Sequence, residues 1–330
     1  MPNVVLHRGA VEGFETVEVD TGAIALALIP ELGGKIASLR DLRGGREWLW
    51  RHPRMAYRRV PHGGSYIAAA DTGGWDECFP SVAPCAYPSE PWLGATVQDH
   101  GELWSQPAAL DLVEGAESVM LRTRWRGVAL PYVFERAITL AAGSPRVRVE
   151  YIVSSAADAP LRFVWCIHPL LAIEPGMRLR LPPEARFNLG GGWPEGLTNA
   201  QTGLSFPLTA RAGGREIDLA TLPEPSSGVA IKLWSDPLPP DAGWAALRAS
   251  DGELRMRWDV ALLPQLAVWM NLGAWAGDGG APYYNLGLEP CIGAQDSLAD
   301  AVARYNLFET LPPRGSRAWW LEIELTNENH

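Results

Sequence analysis

Arg146-Val147-Arg148-Val149-Glu150-Tyr151-Ile152-Val153 is the stretch on which the fold class turns. Val147, Val149, Tyr151 and Val153 face one way, with Arg146, Arg148 and Glu150 opposite. Period two over this length marks a strand with one buried face and one wet face. Leu254, Met256, Trp258 and Val260 repeat the pattern against Arg255, Arg257 and Asp259. Trp319, Leu321, Ile323 and Leu325 repeat it against Trp320, Glu322 and Glu324. Weaker runs lie at 16–19, 23–29, 119–125, 133–140, 178–181 and 230–234. The 34 glycines and 28 prolines are spread throughout, which suits many turns and few long helices. One helical stretch is expected, at 297–305, with Asp296 placed to cap it. The reading is an all-β protein whose large antiparallel sheets pack face to face, with few short helices. Segments 51–90, 181–213 and 222–243 read as long Gly- and Pro-rich connections, places where sites tend to be built. No composition shift marks a linker, so residues 1–330 read as one domain.

Composition narrows the function. With 28 basic and 38 acidic side chains the net charge is −10. That argues against nucleic acid or an anionic membrane as partner, since both call for a basic footprint. No apolar run is long enough to span a bilayer, and the first ten residues lack a signal-peptide pattern. Cys78, Cys85, Cys166 and Cys291 form no disulfide framework and no C-x-x-C pair, and no glycosylation sequon occurs. A soluble, cytoplasmic protein is the expectation. Gly33-Gly34-Lys35 lacks P-loop spacing, and Gly190-Gly191-Gly192 precedes Trp193 and Pro194 rather than a helix. H-E-x-x-H and G-x-S-x-G are absent. These absences weaken metalloprotease, nucleotide-dependent and α/β-hydrolase readings.

Among the six histidines, His7 and His330 lie near the termini, and His52 and His62 sit in an Arg- and Pro-rich segment. His168 ends an apolar run, Phe163-Val164-Trp165-Cys166-Ile167-His168-Pro169. It reads either as a core histidine bonded to a carbonyl or as a proton donor held rigid at a strand end. Glu289, before Pro290, reads either as a buried salt bridge to an arginine or as a general base at a strand end. His100 lies in Gln98-Asp99-His100-Gly101-Glu102. Asp76 and Glu77 are adjacent in Gly73-Gly74-Trp75-Asp76-Glu77-Cys78-Phe79-Pro80, so in a strand they point to opposite faces and at most one reaches a site. The alternative there is a Gly-Gly turn with capping carboxylates. The chain has 15 tryptophans. Trp75, Trp92, Trp104, Trp193 and Trp275, in loop-like contexts, are candidates to line a carbohydrate cleft, whereas Trp165, Trp258 and Trp319 read as core.

Taken together, these segments resemble the aldose 1-epimerase (galactose mutarotase-like) superfamily. The carriers are Ile29-Pro30-Glu31-Leu32-Gly33-Gly34-Lys35-Ile36 with Gly45-Arg46-Glu47-Trp48-Leu49-Trp50, then the Gly73 to Pro80 segment, Asp99-His100-Gly101, the Trp165 to Pro169 motif and Leu288-Glu289-Pro290-Cys291-Ile292-Gly293. The resemblance implies a single β-supersandwich domain and anomer interconversion of a small-molecule sugar, with neither a metal nor a cofactor. It also implies His168 as general acid, Glu289 as general base and His100 as a sugar-binding partner, with an anionic Glu289 and a protonated His168 supporting each other's charge. The family's arginine has candidates in Arg54, Arg58 and Arg59, and its aspartate in Asp236, Asp241 and Asp259. Asp76, Glu77, Trp75, Trp104, Arg54 and Trp275 complete the expected substrate-binding set. Two alternatives remain. One is an epimerase for hexose 6-phosphates or acidic sugars, anchored by Arg51, Arg54, Arg58 and Arg59. The other is a non-catalytic carbohydrate-binding protein. Oligomeric state has no reading.

Overall fold

The alternating runs become strands in a computed structural model of the chain, which describes residues 4–197, 202–212, 214–293 and 295–327. Arg146–Ser155, Gly252–Trp258 and Ser316–Asn327 lie side by side in an eight-stranded sheet. Val147 pairs with Ile323, Val149 with Leu321 and Tyr151 with Trp319, so the apolar faces coincide. A second sheet has eleven strands, and every ladder of the two sheets is antiparallel among the described residues. At its centre run Trp75–Cys78, Trp165–Ala172, Tyr284–Ile292, Gln265–Leu272, Val229–Ser235 and Arg186–Trp193, in that spatial order.

One apolar core joins the inner faces of both sheets. Trp165 and Ile167 point into it, and the Trp165 ring lies 4.9 Å from Trp319 of the opposite sheet. Period two then turns Cys166, His168 and Leu170 to the outer face. The same rule sorts Asp76 from Glu77. Ile167 is opposite Glu77 and His168 opposite Asp76, so Glu77 enters the core while Asp76 shares the His168 face.

The expected helix is shorter and differently capped. Leu298–Asp300 is α-helical and Ala301–Tyr305 continues as a wider π turn. Its cap is Ser297, whose hydroxyl accepts from the Asp300 N–H, not Asp296. Asp296 instead turns its carboxylate toward Lys232. Three segments read as connections contain regular structure. Residues 51–90 hold the Trp75–Cys78 strand and a short helix, Tyr66–Ala69, capped by Ser65. Residues 181–213 hold Arg186–Trp193, including the three glycines. Residues 222–243 hold Val229–Ser235, in agreement with the weak run at 230–234. His330 lies outside the described residues.

His168 and Glu289 sit within strands rather than at their ends. Pro169 and Pro290 follow them without stopping the sheet, because the ladder between their two strands lapses there. Cys166 pairs with Cys291 and Leu170 with Gly287, but no pair forms between them. A proline has no N–H to donate, and the lapse leaves none required. The register on either side brings His168 opposite Glu289 across this gap.

Candidate functional site

A cleft of about 310 Å³ opens on the outer face of the eleven-stranded sheet. Its floor comes from alternate residues of neighbouring strands: His168 and Leu170, Asn285, Trp269, then Lys232 and Trp234. The short helix supplies Tyr66, and the loops supply Asp99, His100, Trp275, Tyr283 and Asp296. One wall is aromatic. Trp193, Trp269, Trp275 and Tyr283 follow one another edge to face, at ring separations of 6.0, 5.6 and 5.8 Å. Trp193 is 41% exposed, so a ligand has apolar surface to cover there. The other wall is polar, with His100, Asp99 and His168.

The glycines at the far side have a packing reason. A Cβ on Gly190 would fall 1.4 Å from the Trp234 ring, so that indole lies directly on the strand backbone. Gly190→Ala is expected to push Trp234 into the cleft and to cost about 1–3 kcal/mol of stability. A denaturant titration together with a near-UV spectrum checks both effects; an unchanged spectrum and midpoint would count against this packing.

His168 is 9% exposed and faces the cleft. Its Nδ1 is 3.4 Å from the Tyr66 hydroxyl, and its ring meets His100 at 5.0 Å, edge to face. Burial pushes His168 well below the ordinary histidine range, and the charges of His100, Lys232 and Lys35 push the same way. Desolvation and three nearby basic groups thus favour the neutral imidazole over the protonated His168 that the resemblance implies.

Glu289 is fully buried, and Lys232 lies over it with Nζ 2.5 Å from Oε2. The other oxygen, Oε1, has no hydrogen-bond partner among the described residues. Burial raises Glu289 above the ordinary carboxylate value while Lys232 opposes the rise. The salt bridge expected with an arginine is thus made with a lysine. Lys232 also stands 3.8 Å from Asp296, and it, rather than Glu289, lines the cleft.

His100 is held at φ 58° between Asp99, whose Oδ1 is 2.8 Å from its Nδ1, and Gly101. Gly101 lies so close to the Phe79 backbone that a Cβ would sit 2.2 Å from its carbonyl oxygen. The loop is pinned there, and His100 stacks on Tyr66 at 4.1 Å. Burial would raise Asp99, yet the hydrogen bond and charge of His100 prevail and hold it below its ordinary value.

The structure brings His168, His100 and Trp275 to the cleft wall. Asp76 stands one step behind, bonded through its Oδ2 to the Tyr66 hydroxyl and ion-paired with Lys35. Four expectations are corrected. Trp75 is fully buried between the sheets, because it shares the core-facing side of its strand with Glu77. Glu77 spends its carboxylate on Arg136, Tyr151 and Trp165 inside the core. Trp104 backs Tyr66 and donates its indole N–H to the Asp99 carbonyl, without reaching the cleft. Arg54 lies outside the cleft, clamped on Asp278 and the Ala281 carbonyl. Among the other candidates, Trp193 lines the cleft, while Trp92 packs on Tyr87. Asp236 bonds Asn188 and Asp259 caps a turn at Ala261. Asp241 also lies off the cleft wall.

Sequence reasoning missed Tyr66, Lys232, Trp269 and Tyr283. One signal was available: the chain has only two lysines, Lys35 and Lys232. Lys35 is buried and Lys232 partly so, and each grips a carboxylate on a strand of the site, Asp76 and Glu289.

Two large antiparallel sheets around one core, with a cleft on the outer face of the larger, define the galactose mutarotase-like β-supersandwich, and the chain has this fold. It is similar over 98% of its length to a galactose mutarotase-like protein from Clostridium acetobutylicum, covering 99% of that chain at 11% identity and a TM-score of 0.65. It is likewise similar to a galactose mutarotase-like protein from Lactobacillus casei, with TM-score 0.61, 15% identity, and 94% and 99% of the two chains covered. A Klebsiella pneumoniae protein provisionally named an aldose 1-epimerase superposes with TM-score 0.70 and 16% identity, over 98% of this chain and 82% of that one. No family model and no curated protein matches the chain. No described helix is long and apolar enough to cross a membrane.

Proposed function

We propose that the protein interconverts the α and β anomers of a neutral sugar held in this cleft. The observation that carries the reading is the register that brings His168, on the floor of a sugar-sized cleft, opposite Glu289, which Lys232 covers at that floor. Ring opening takes a proton from the C1 hydroxyl and gives one to the ring oxygen. Closure to the other anomer runs these transfers backwards, so each group serves once as acid and once as base. The aromatic wall suits the C–H face of a pyranose, and His100, Asp99 and Asn285 suit its hydroxyls. The test is polarimetry of freshly dissolved α-anomers with and without protein. Acceleration above the uncatalysed rate is expected for at least one neutral hexose or deoxyhexose; none for any sugar would overturn the reading.

The charge of the cleft sets the substrate class. Asp99, Asp296 and Glu289 stand against Lys232, whose ammonium is already shared between Glu289 and Asp296. The arginines that were to anchor an acidic group are occupied. Arg51 bonds Glu12, Arg54 Asp278, Arg58 the Ala69 carbonyl and Arg59 Glu31. An anionic sugar therefore meets fixed negative charge with no lysine or arginine but Lys232 lining the cleft among the described residues, and like charges in a cleft cost several kcal/mol. Glucose 6-phosphate and uronic acids are expected to show kcat/KM at least about 10-fold below the best neutral sugar. Equal or better turnover of an anionic sugar would refute this assignment.

A second reading has one observation in its favour. Glu289 is sealed beneath Lys232, as suits a sugar-binding protein that does not turn its ligand over. A Glu289→Gln variant separates the two, since it abolishes turnover under the first reading and leaves binding intact under both.

A further inference from the structure

An imidazole that exchanges protons with a sugar must present one defined nitrogen to it. The Tyr66 hydroxyl lies 2.8 Å from Asp76 Oδ2 and 3.4 Å from His168 Nδ1. A phenol has one proton, and a carboxylate only accepts. Asp76 is ion-paired to Lys35, which also donates to the Gly73 carbonyl at 2.6 Å. The Tyr66 proton therefore goes to Asp76; the Thr72 carbonyl, at 3.5 Å, is a weaker rival for it. The Tyr66 oxygen is left to accept, so the Nδ1 facing it carries a hydrogen. His168 lines the cleft, and Nε2 is the ring nitrogen turned away from Tyr66.

We infer that Asp76 and Tyr66 are positioning residues that hold His168 as the Nδ1-protonated tautomer, so that the nitrogen offered to the sugar is a bare acceptor. The groups that face His168 are Tyr66, His100, Asp76, Lys35, Lys232 and Glu289. Burial and the charges of His100, Lys232 and Lys35 keep it neutral, in agreement with this state.

Applied to the anomerisation proposed above, on which this consequence rests, the tautomer sets the order of proton transfer. His168 Nε2 takes the proton from the C1 hydroxyl. The C1–O5 bond breaks as the C1 carbonyl forms, and its electron pair goes to O5. O5 takes its proton from the hydrogen-bonded Lys232–Glu289 pair, whose Nζ lines the cleft. Closure returns both protons. This reverses the order implied by the resemblance. Because His168 is already neutral, the rate is expected to stay level from about pH 8 down to about pH 6.5, the ordinary histidine value, and to fall only below it.

The experiment is ¹⁵N NMR of the full chain labelled at histidine, with the His168 signals assigned by their loss in His168→Asn. At neutral pH the wild type should show a neutral ring protonated on Nδ1. A ring protonated on Nε2, in either charge state, overturns the inference. Tyr66→Phe keeps the ring that stacks on His100 and removes the accepting oxygen. It should let the Nε2-protonated tautomer appear and lower kcat on the order of 10- to 100-fold with little change in KM. An unchanged tautomer in that variant overturns the positioning role. The NMR result needs no turnover. Failure of the functional reading shows as the expected tautomer with no acceleration of any sugar. Failure of this inference shows as acceleration with the proton on Nε2.

Discussion

Glu289→Gln and His168→Asn are each expected to slow anomerisation by about 10²–10⁴-fold, and the double variant by little more than the worse single. The magnitude follows from what each change removes. His168→Asn keeps a polar side chain of similar reach on the cleft floor but cannot exchange a proton near neutrality. Glu289→Gln keeps an oxygen for Lys232 Nζ to donate to, 2.5 Å away in the native pair, but removes the charge that holds the ammonium. His168 and the Lys232–Glu289 pair move protons in one event and act as a unit, so the losses do not add. Polarimetry of the best neutral sugar measures the rates, and a binding titration shows that the cleft still takes the sugar. Full activity in either single variant would remove that residue from the chemistry. Loss of binding with loss of rate would assign it to the cleft wall instead.

Arg136→Met is expected to lower stability by about 3–5 kcal/mol, the largest effect of any single change predicted outside the cleft. Arg136 and Glu77 are both fully buried, with Nη1 3.1 Å from Oε1. Arg136 also donates to the Gly34 carbonyl, and Glu77 accepts from Tyr151 at 3.0 Å and Trp165 at 3.2 Å. Removing the arginine leaves a carboxylate in the core with only neutral donors around it. Adding Glu77→Gln removes that charge, keeps an oxygen for Trp165 and turns its amide N–H to the Tyr151 hydroxyl, which can accept, so the double variant should recover part of the loss. The contrast is Arg314, whose partner Asp158 is equally exposed; Arg314→Met should leave the denaturation midpoint unmoved. Urea melts of the four proteins decide the matter. An Arg136→Met midpoint equal to wild type, or a double variant worse than the single, would show that the pair is not what holds the two sheets at this point.

The stability of that pair and the chemistry of the cleft are linked through one strand. Glu77 and Asp76 are neighbours in Trp75–Cys78, one bonded to the opposite sheet and the other to the residue that orients His168. A change in the core at Glu77 is therefore expected to be felt at His168 through the backbone of this short strand.

Much of this was readable from the chain itself. Alternation over 146–153, 254–258 and 319–325 determined three strands and which of their faces are buried, because side-chain direction in a strand has period two and depends on nothing remote; Asp259 and Val260 continue the pattern past the strand end at Trp258. The same local rule separated Asp76 from Glu77. Tertiary structure alone decided the rest. That His168 stands opposite Glu289 depends on the register of two strands more than a hundred residues apart, which no local pattern encodes. Trp75 read as a loop aromatic because its strand is only four residues long and flanked by glycines, too short to display a period. Lys232 over Glu289, and Tyr66 between Asp76 and His168, are meetings of distant segments. The charge states follow from those meetings. Desolvation by a whole fold, not residue type, keeps His168 neutral and raises Glu289, and burial is a property that only the packed chain possesses.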